Sequence, residues 1–490
     1  MYIINEDTIC APATVPGTGA ISVIRISGPD ALAIADKVIS CRRGSISESK
    51  GYTIRFGTVN TADGCVIDEV LASVFRAPHS YTGEDSVEIS CHASTYIVSE
   101  VLSLLYEAGA RAAEPGEFTQ RAFLNGKMDL AQAEAVADVI ASQNASAHRI
   151  AFKQMKGGFS SELRDMRSEL LELVSLMELE LDFSEEEVEF ADRSRLDSLL
   201  EEITAHAGRL IDSFRLGNAI KNGVPVAIAG ATNTGKSTLL NALLGEDRAI
   251  VSDVHGTTRD TIEETLNIDG VLFRFIDTAG LRETTETVEK IGIERTFKKI
   301  SEASIVLGMI DLTCGLESTC ETVREIIGKV DFATQKLMIL LNKTDISGEN
   351  NNVNISNFIV SELDSKGIKA LSADMTNFAD LSSPTVCPII PISAKTGSGI
   401  AELRTILASS QRDLLGDSDT TLVTNQRHVQ ALTDARTSLL RVREGLAAGL
   451  PTDLAAQDIR EAIYHIGSIV GEISTDEVLG NIFANFCIGK

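Results

Sequence analysis

Short apolar runs alternate with amphipathic stretches along the first 122 residues. Apolar runs of strand length occur at residues 21–26, 70–75 and 87–90, and a helical pattern begins after Pro29. Glycine and proline punctuate these segments, as they commonly do at turns. The pattern predicts a small N-terminal α/β domain over residues 1–122.

Helical periodicity dominates the next part of the chain. Apolar residues recur at helical spacing through residues 128–144 and 152–181, and the same spacing returns within residues 425–480. Long stretches of this kind with few glycines or prolines predict packed helices. We therefore predict one discontinuous helical domain, built from residues 123–218 and 412–490.

Apolar runs and helical segments alternate again between these two pieces. This alternation predicts a parallel sheet with helices on both faces, so residues 219–411 should form an inserted α/β domain. Residues 346–387 are an exception, because they are rich in Asn, Ser and Asp and longer than a connection requires. We predict a long loop there.

Composition and charge narrow the picture. A chain of 490 residues is expected to hold two to four domains. It has no run of 18 apolar residues and no basic leader, and its eight cysteines form no C-x-x-C pair, so we expect a cytoplasmic protein away from membranes. The net charge of −26 argues against broad electrostatic attraction to nucleic acid.

Residues 230–237 read G-A-T-N-T-G-K-S and follow an apolar run at 225–229. In the pattern G-x-x-x-x-G-K-[S/T], the glycines let backbone N–H groups curl around phosphate oxygens. Lys236 would reach the outer phosphates, and the hydroxyl of Ser237 would bind Mg²⁺. A helix-forming stretch follows, so the order of strand, loop and helix predicts a P-loop in a Ras-like domain.

Further segments follow in the order that a guanine-nucleotide site needs. Asp277 and Gly280 belong to a D-T-A-G run, which can hold Mg²⁺ through water and sense the γ-phosphate. Asp345 ends an N-K-T-D run, and its carboxylate can accept hydrogen bonds that guanine offers and adenine does not. An S-A-K run at 393–395 would support the base. Residues 256–260 read G-T-T-R-D, and one threonine there should close over the γ-phosphate as a switch.

The run at 256–260 resembles that of bacterial GTPases of the Era and TrmE group. The likeness extends to T-G-E-D at 82–85, the stretch 114–127, I-G-I-E-R at 291–295 and the terminal F-C-I-G-K. In this order, and over essentially the whole chain, these segments are similar to those of the MnmE (TrmE) family of tRNA-modification GTPases.

The resemblance implies an activity and its partners. Family members hydrolyse GTP and work with the FAD-dependent flavoprotein MnmG, as a heterotetramer or a larger assembly. Together they add an aminomethyl or carboxymethylaminomethyl group to C5 of the wobble uridine of tRNA. A tetrahydrofolate derivative, in a 5-formyl or methylene form, is the expected carbon donor. The resemblance also implies a homodimer through the N-terminal domain, with the folate site there.

The resemblance implies site residues as well. Arg25, Glu88, Lys127 and Lys490 would bind folate, because a basic group suits its glutamate tail and a carboxylate suits its aminopyrimidine. Cys487 would be the reactive thiol.

A Ras-like GTPase orients water with a Gln, but Leu281 occupies that position here and cannot hydrogen-bond. The family uses a bound K⁺ instead of an arginine finger, and Glu289 matches the carboxylate that positions water through a second water. The K⁺ ligands implied are Asn233, Ser252, Val254 and Thr257.

Mg²⁺ is expected on Ser237 and Thr258. The full set of expected GTP-binding residues is Asn233, Thr234, Gly235, Lys236, Ser237, Thr238, Ser252, Thr257, Thr258, Asp277, Gly280, Asn342, Lys343, Asp345, Ser393, Ala394 and Lys395.

Two other functions stay open at this point. The chain could be a regulatory switch GTPase that binds RNA or ribosome-assembly partners, or a scaffold whose nucleotide sets only the dimer geometry. A switch GTPase needs neither a folate pocket nor a terminal thiol, and slow GTP turnover that is insensitive to G-domain pairing would favour the scaffold. Because of the acidic charge, we expect tRNA to be held largely by the flavoprotein or by a local basic patch.

Overall fold

The computed structural model describes residues 7–61, 63–182, 193–245, 264–276, 301–347, 349–372, 385–411, 421–448, 452–473, 476–484, 486 and 489. The chain forms two compact units. The first comprises Met1–Ala141, Ala151–Arg209 and Arg427–Lys490, and the second comprises Ser142–Ile150 and Leu210–Gln426.

A seven-stranded sheet organises the N-terminal part of the first unit. Its strands are β1 (Ile9–Pro12), β2 (Ile21–Ser27), β3 (Ile39–Cys41), β4 (Thr53–Asn60), β5 (Val66–Phe75), β6 (Ser86–His92) and β7 (Arg111–Ala112). The order is β3-β4-β5-β6-β2-β1-β7, and only β1 and β7 pair in parallel. The three apolar runs predicted as strands lie in β2, β5 and β6.

Strand alternation decides what each face of this sheet carries. Helices α1 (Ala31–Val38) and α2 (Thr95–Glu107) cover one face, and Ile24 and Ile26 of β2 are buried among them. Successive residues of a strand point to opposite faces, so Arg25 lies on the other face. There α3 (Glu117–Leu124) contributes Phe118, which packs with Ile9 and Ala11 of β1.

Four helices continue the chain: α4 (Leu130–Ala141), α5 (Ala145–Met155), α6 (Gly158–Asp182) and α7 (Arg193–Asn222). The helical stretch predicted at 152–181 contains a break, because Gly157 takes a left-handed conformation with φ of +86° between α5 and α6.

The second unit is a mostly parallel sheet with helices on both faces. Its strands are β8 (Val224–Ala229), β9 (Glu264–Ile268), β10 (Val271–Phe275), β11 (Ile305–Asp311), β12 (Lys336–Asn342), β13 (Lys369–Ser372) and β14 (Val386–Pro391). The order is β13-β14-β12-β11-β8-β10-β9, and only β9 and β10 are antiparallel.

Helices α8 (Lys236–Leu244), α9 (Leu316–Lys329), α10 (Glu349–Ser365) and α11 (Ile400–Ser409) pack on this sheet. One core contains buried residues of α8 and α11, and the other contains those of α9 and α10. Strands β11 and β12 are buried at every position, as expected for strands covered on both faces.

The prediction of a long loop at 346–387 was wrong. Helix α10 and strand β13 occupy much of this stretch, while residues 373–384 lie outside the described part of the chain. Ile355, Ile359 and Leu363 recur every four residues and are buried in the core that α9 shares. Their periodicity is helical, but the intervening asparagines and serines concealed it.

Three last helices complete the first unit: α12 (Gln426–Ala447), α13 (Thr452–Val470) and α14 (Asp476–Phe483). Glu134 of α4 accepts a hydrogen bond from Nε of Arg427 at 3.0 Å and lies 2.6 Å from Nε2 of His428. Burial by itself raises the pKa of Glu134, but interactions with His428 and Arg427 outweigh it and lower the pKa to about 2. This buried cluster joins the two pieces of the helical part.

The predicted fold class is confirmed: an N-terminal α/β domain, a discontinuous helical domain and an inserted Ras-like α/β domain. Among the described residues, no helix is long and apolar enough to cross a membrane.

Candidate functional site

The P-loop, residues 230–237, connects the carboxyl end of β8 to α8. Strand β8 lies between β10 and β11, so the loop stands where the strand order reverses, which is where α/β sheets bind ligands. Helix α8 begins at Lys236, and its first N–H groups and positive dipole end suit phosphate oxygens.

Close contacts with β11 and β12 explain the glycines of this loop. A Cβ at Gly230 would lie 2.5 Å from the carbonyl oxygen of Met309, and one at Gly235 would lie 2.6 Å from Nδ2 of Asn342. Gly235 also has a left-handed φ of +98°, and exposed Asn233 has one of +63°. Side chains rarely tolerate this conformation, although Asn adopts it more readily than most residues.

Lys236 lies inside the curve of the loop. Its Nζ donates hydrogen bonds to the carbonyl oxygens of Gly230 and Ala231, each at 2.8 Å. Burial lowers the pKa of Lys236, because the charged form loses water there. Ser237 is half-buried, and Thr238 is exposed on the first turn of α8. The amine is therefore held where phosphates would enter.

Asn342, the last residue of β12, connects three of the predicted motifs. Its Nδ2 donates to the carbonyl oxygen of Thr234 at 2.7 Å, and its Oδ1 accepts the N–H of Ala394 at 3.0 Å. One buried amide thus ties the P-loop to the segments predicted to bind guanine. We call residues 230–237, 342–345 and 393–395 together the nucleotide edge.

Two short side-chain hydrogen bonds orient further polar groups of the nucleotide edge. The hydroxyl of Ser393 donates to Oδ1 of Asp345 at 2.7 Å, and Asp345 and Lys395 are both exposed. Nζ of Lys343, whose φ is +69°, donates to Oδ2 of Asp311 at 2.5 Å. This arrangement leaves the carboxylate of Asp345 accessible to a base.

Sequence reasoning missed Asp311. Burial by itself raises the pKa of Asp311, but hydrogen bonds from Lys343 and Thr313 outweigh it, so the pKa lies below its ordinary value. Its position was the available signal, because it ends β11 directly opposite Asn342, the last residue of the neighbouring strand β12.

A second polar site lies on the first unit's sheet. Arg25 and Glu88 stand directly opposite each other on β2 and β6. Oε1 of Glu88 accepts from Nε of Arg25 at 2.9 Å and lies 2.8 Å from Nη2. The guanidinium sits 5.2 Å from the ring centre of Tyr81 and 5.6 Å from that of Phe118, within cation–π range. Nη1 of Arg25 also donates to the carbonyl oxygen of Gly489 at 3.4 Å.

We call Arg25, Glu88, Tyr81, Phe118 and Gly489 the Arg25 site. Tyr81 and Phe118 were not identified from the sequence, although both lie within or next to the motif stretches 82–85 and 114–127. Lys127, predicted to act with Arg25, is exposed and donates to the carbonyl oxygen of Pro78 at 2.8 Å. Among the described contacts, no hydrogen bond links it to Arg25 or Glu88.

Several predicted site residues lie outside the described part of the chain: Ser252, Val254, Thr257, Thr258, Asp277, Gly280, Glu289, Cys487 and Lys490.

The strand order and the nucleotide edge define a P-loop GTPase of the Ras-like type. Comparison with known proteins then identifies the family. A family model for the MnmE helical domain matches residues 130–487, and one for the GTP-binding protein TrmE N-terminus matches residues 8–127. The chain belongs to the MnmE family of tRNA modification GTPases, as the sequence predicted.

Full-length relatives agree with this assignment. The chain is 51% identical to the tRNA modification GTPase MnmE of Parabacteroides distasonis, covering 99% of this chain and 100% of the relative. It is 50% identical to that of Bacteroides thetaiotaomicron over the same shares. Identity to the protein of Flavobacterium johnsoniae is 50%, over 100% of both chains.

Proposed function

We propose that this chain hydrolyses GTP in the cytoplasm and, with a flavoprotein partner, installs an aminomethyl or carboxymethylaminomethyl group at C5 of the wobble uridine of tRNA. Family membership supports the tRNA-modification class. The observation that carries the finer proposal is the Arg25 site, where a cation, a carboxylate and the C-terminal segment meet in a protein that also has a guanine-nucleotide edge.

At the nucleotide edge, the chain binds and orients GTP. Backbone N–H groups of residues 231–237 surround the phosphates, and Lys236 exchanges its loop carbonyl partners for phosphate oxygens. Asp345 accepts hydrogen bonds from the ring N–H and amino group of guanine. Ser237, half-buried at the start of α8, fits as a Mg²⁺ ligand, and Thr258 is proposed as a second one. The ion would neutralise charge on the phosphates.

Hydrolysis is proposed to depend on K⁺ held by Asn233, Ser252, Val254 and Thr257. Asn233 fits this role because it is exposed at the turn of the P-loop, where its amide oxygen can reach a cation. Glu289 is proposed to position the attacking water through a second water, since Leu281 cannot.

The K⁺ proposal gives a direct prediction. GTP turnover should be much faster in K⁺ than in Na⁺, and Glu289→Ala should lower it by about 100-fold in K⁺, as expected when a water-positioning group is lost. Glu321→Ala changes an exposed glutamate of α9 and serves as the control. Equal turnover in the two salts, or full activity of Glu289→Ala, would contradict the proposal.

The Arg25 site is proposed to bind the tetrahydrofolate derivative, in a 5-formyl or methylene form. Glu88 would accept hydrogen bonds from the aminopyrimidine, while Arg25, Lys127 and Lys490 would attract the anionic tail. The residues fit such a ligand, because Arg25 and Glu88 are only partly exposed and lie beside two aromatic rings. Cys487 is proposed as the reactive thiol. When bound, the folate would supply one carbon.

A homodimer through the N-terminal sheet is also proposed. Ile54 and Phe56 of β4 and Leu71 of β5 are apolar yet 65%, 39% and 46% exposed, on the face opposite α1 and α2. Phe56 and Leu71 are direct cross-strand neighbours, so they form a continuous patch. Apolar patches of this kind are typical of protein interfaces, and a second copy would bury this one.

The flavoprotein is proposed to hold most of the tRNA, because the chain's net charge of −26 repels phosphates at long range. The assembly would be a heterotetramer or larger.

Mass spectrometry of nucleosides in total tRNA, from cells with and without this gene, tests the function. We expect C5 aminomethyl-type wobble uridines to disappear without the gene and to return when it is restored. An unchanged nucleoside profile would overturn the proposed chemistry and favour a switch GTPase that binds another RNA or an assembly partner.

A further inference from the structure

Three described residues near the end of the chain pack against the N-terminal domain within the first unit: Phe483, Phe486 and Gly489. Phe483 ends α14, and the N–H of Phe486 donates to the carbonyl oxygen of Phe483 at 3.0 Å. The two rings are 5.3 Å apart between centroids. Phe483 is 2% exposed and shares a core with Leu130 and Leu479. This packing anchors the segment that leads to the C-terminus.

Within the N-terminal domain, Gly116 contacts this segment. It precedes α3 with a left-handed φ of +69°. A Cβ placed there would lie 2.7 Å from the carbonyl oxygen of Phe483 and 2.9 Å from Cβ of Phe486. Both distances are too short for real carbon contacts, and one of the two atoms is backbone. Only glycine therefore permits this approach.

Gly489, three residues after Phe486, also lies close to the N-terminal domain. Its φ is +97°, and a Cβ there would lie 2.1 Å from the carbonyl oxygen of Pro12 in β1. Its own carbonyl oxygen accepts a hydrogen bond from Nη1 of Arg25 at 3.4 Å. The segment is thus held at Phe486 and again at Gly489.

We propose that Gly116 is a positioning residue for the chemistry, because it lets the C-terminal segment dock at Phe486 and Gly489, whose carbonyl oxygen is part of the Arg25 site. The role of the Arg25 site in the chemistry rests on the proposed function, whereas the docking of the segment does not.

A pair of substitutions separates docking from backbone strain. Gly116→Ala and Gly126→Ala both place a Cβ on a left-handed glycine next to α3, since Gly126 has a φ of +67°. Nothing lies within 4 Å of a Cβ at Gly126, in contrast to Gly116. Both variants carry the same conformational cost, but only Gly116→Ala displaces the C-terminal segment.

Hydrogen exchange of peptides covering residues 476–490 measures docking without folate, tRNA or partner. We expect exchange in Gly116→Ala to be at least about tenfold faster than in wild type, as overpacking of a tight contact implies, and Gly126→Ala to match wild type. In cells, wobble-uridine modification should fall about tenfold or more in Gly116→Ala alone. GTP turnover of the purified protein should stay within about twofold of wild type in both variants, since the nucleotide edge is unchanged.

Equal exchange and equal modification in the two variants would overturn the inference. If Gly116→Ala does not fold, Phe486→Ala removes the anchoring ring without adding atoms. It should loosen the same peptides and lower modification, and Phe486→Leu should restore much of both; identical behaviour of Phe486→Ala and wild type would contradict the docking role. If modification proves independent of this gene, the proposed function fails, while the exchange experiment still decides whether Gly116 docks the C-terminal segment.

Discussion

The nucleotide edge and the Arg25 site are built in different ways. At the nucleotide edge, each motif is a short contiguous run at the end of a strand, and many contacts involve backbone groups, such as those of Lys236 and Asn342. At the Arg25 site, side chains meet from distant segments. Arg25 and Glu88 are 63 residues apart, and Arg25 and Gly489 are 464 apart.

This difference has consequences for mutation. The nucleotide edge is sensitive to an added Cβ at its close contacts, because the neighbouring atoms are buried and have little room to move. A site held by ion pairs is sensitive instead to charge, donor geometry and pH. Three experiments test this comparison, from the largest expected effect to the smallest.

The largest effect is expected from Gly235→Ala. The new Cβ would lie 2.6 Å from Nδ2 of Asn342, so it should push apart the P-loop and the guanine-binding segment. We expect GTP affinity, measured by isothermal titration, to fall on the order of 100-fold, which corresponds to overpacking of about 2–3 kcal/mol.

Gly367→Ala is the matched control for this experiment. Gly367 lies in the same unit with a φ of +72°, and nothing lies within 4 Å of a Cβ there. Equal GTP affinity of the two variants would show that the close contact at Gly235 does not shape the site.

Arg25→Lys should have a smaller effect. Lysine keeps the charge but loses the planar group that contacts Glu88, Tyr81 and Gly489 together. We expect the dissociation constant for 5-formyltetrahydrofolate to rise about tenfold and GTP turnover to be unchanged. Arg43→Lys, at an exposed position of the same domain, controls for the substitution. Unaltered folate binding in Arg25→Lys would remove Arg25 from the proposed site.

The smallest effect concerns acid stability. Glu117 precedes Phe118 in α3 and binds Arg111 at 2.7 Å and Arg121 at 3.0 Å. Burial by itself raises the pKa of Glu117, but the hydrogen bonds from Arg111, the N–H of Glu114 and Arg121 outweigh it, so the pKa lies below its ordinary value of 4.5. A lowered pKa in the folded state means that this stabilisation is complete above pH 4.5 and is lost as the pH falls through the folded-state pKa.

Calorimetry of the full chain between pH 3 and 7 should therefore show that the free energy of unfolding falls less in acid for Glu117→Gln than for wild type. That variant should also be less stable than wild type near neutral pH, because its neutral amide leaves the two arginines without their charged partner. Identical pH profiles for the two proteins would show that Glu117 does not support α3 through its charge.

Local chemistry explains which parts of the molecule could be predicted. The P-loop needs glycines at fixed spacing, a lysine and a serine within eight consecutive residues, so its function is visible without any tertiary contact. Helices such as α13 were predicted well, because a helix buries the same face every three to four residues. Helix α10 was missed because its described buried residues, Ile355, Ile359 and Leu363, are separated by polar ones.

The sequence by itself determined the guanine-nucleotide motifs, the order of the domains and the family. Only the tertiary structure decided that Asn342 joins Thr234 to Ala394, that Arg25 faces Glu88 above Tyr81 and Phe118, and that the C-terminal segment docks at Gly116. The physical reason is the distance along the chain between the residues that decide each feature. Periodicity and turn chemistry depend on neighbouring residues, whereas strand register and close backbone approach depend on how the whole unit packs.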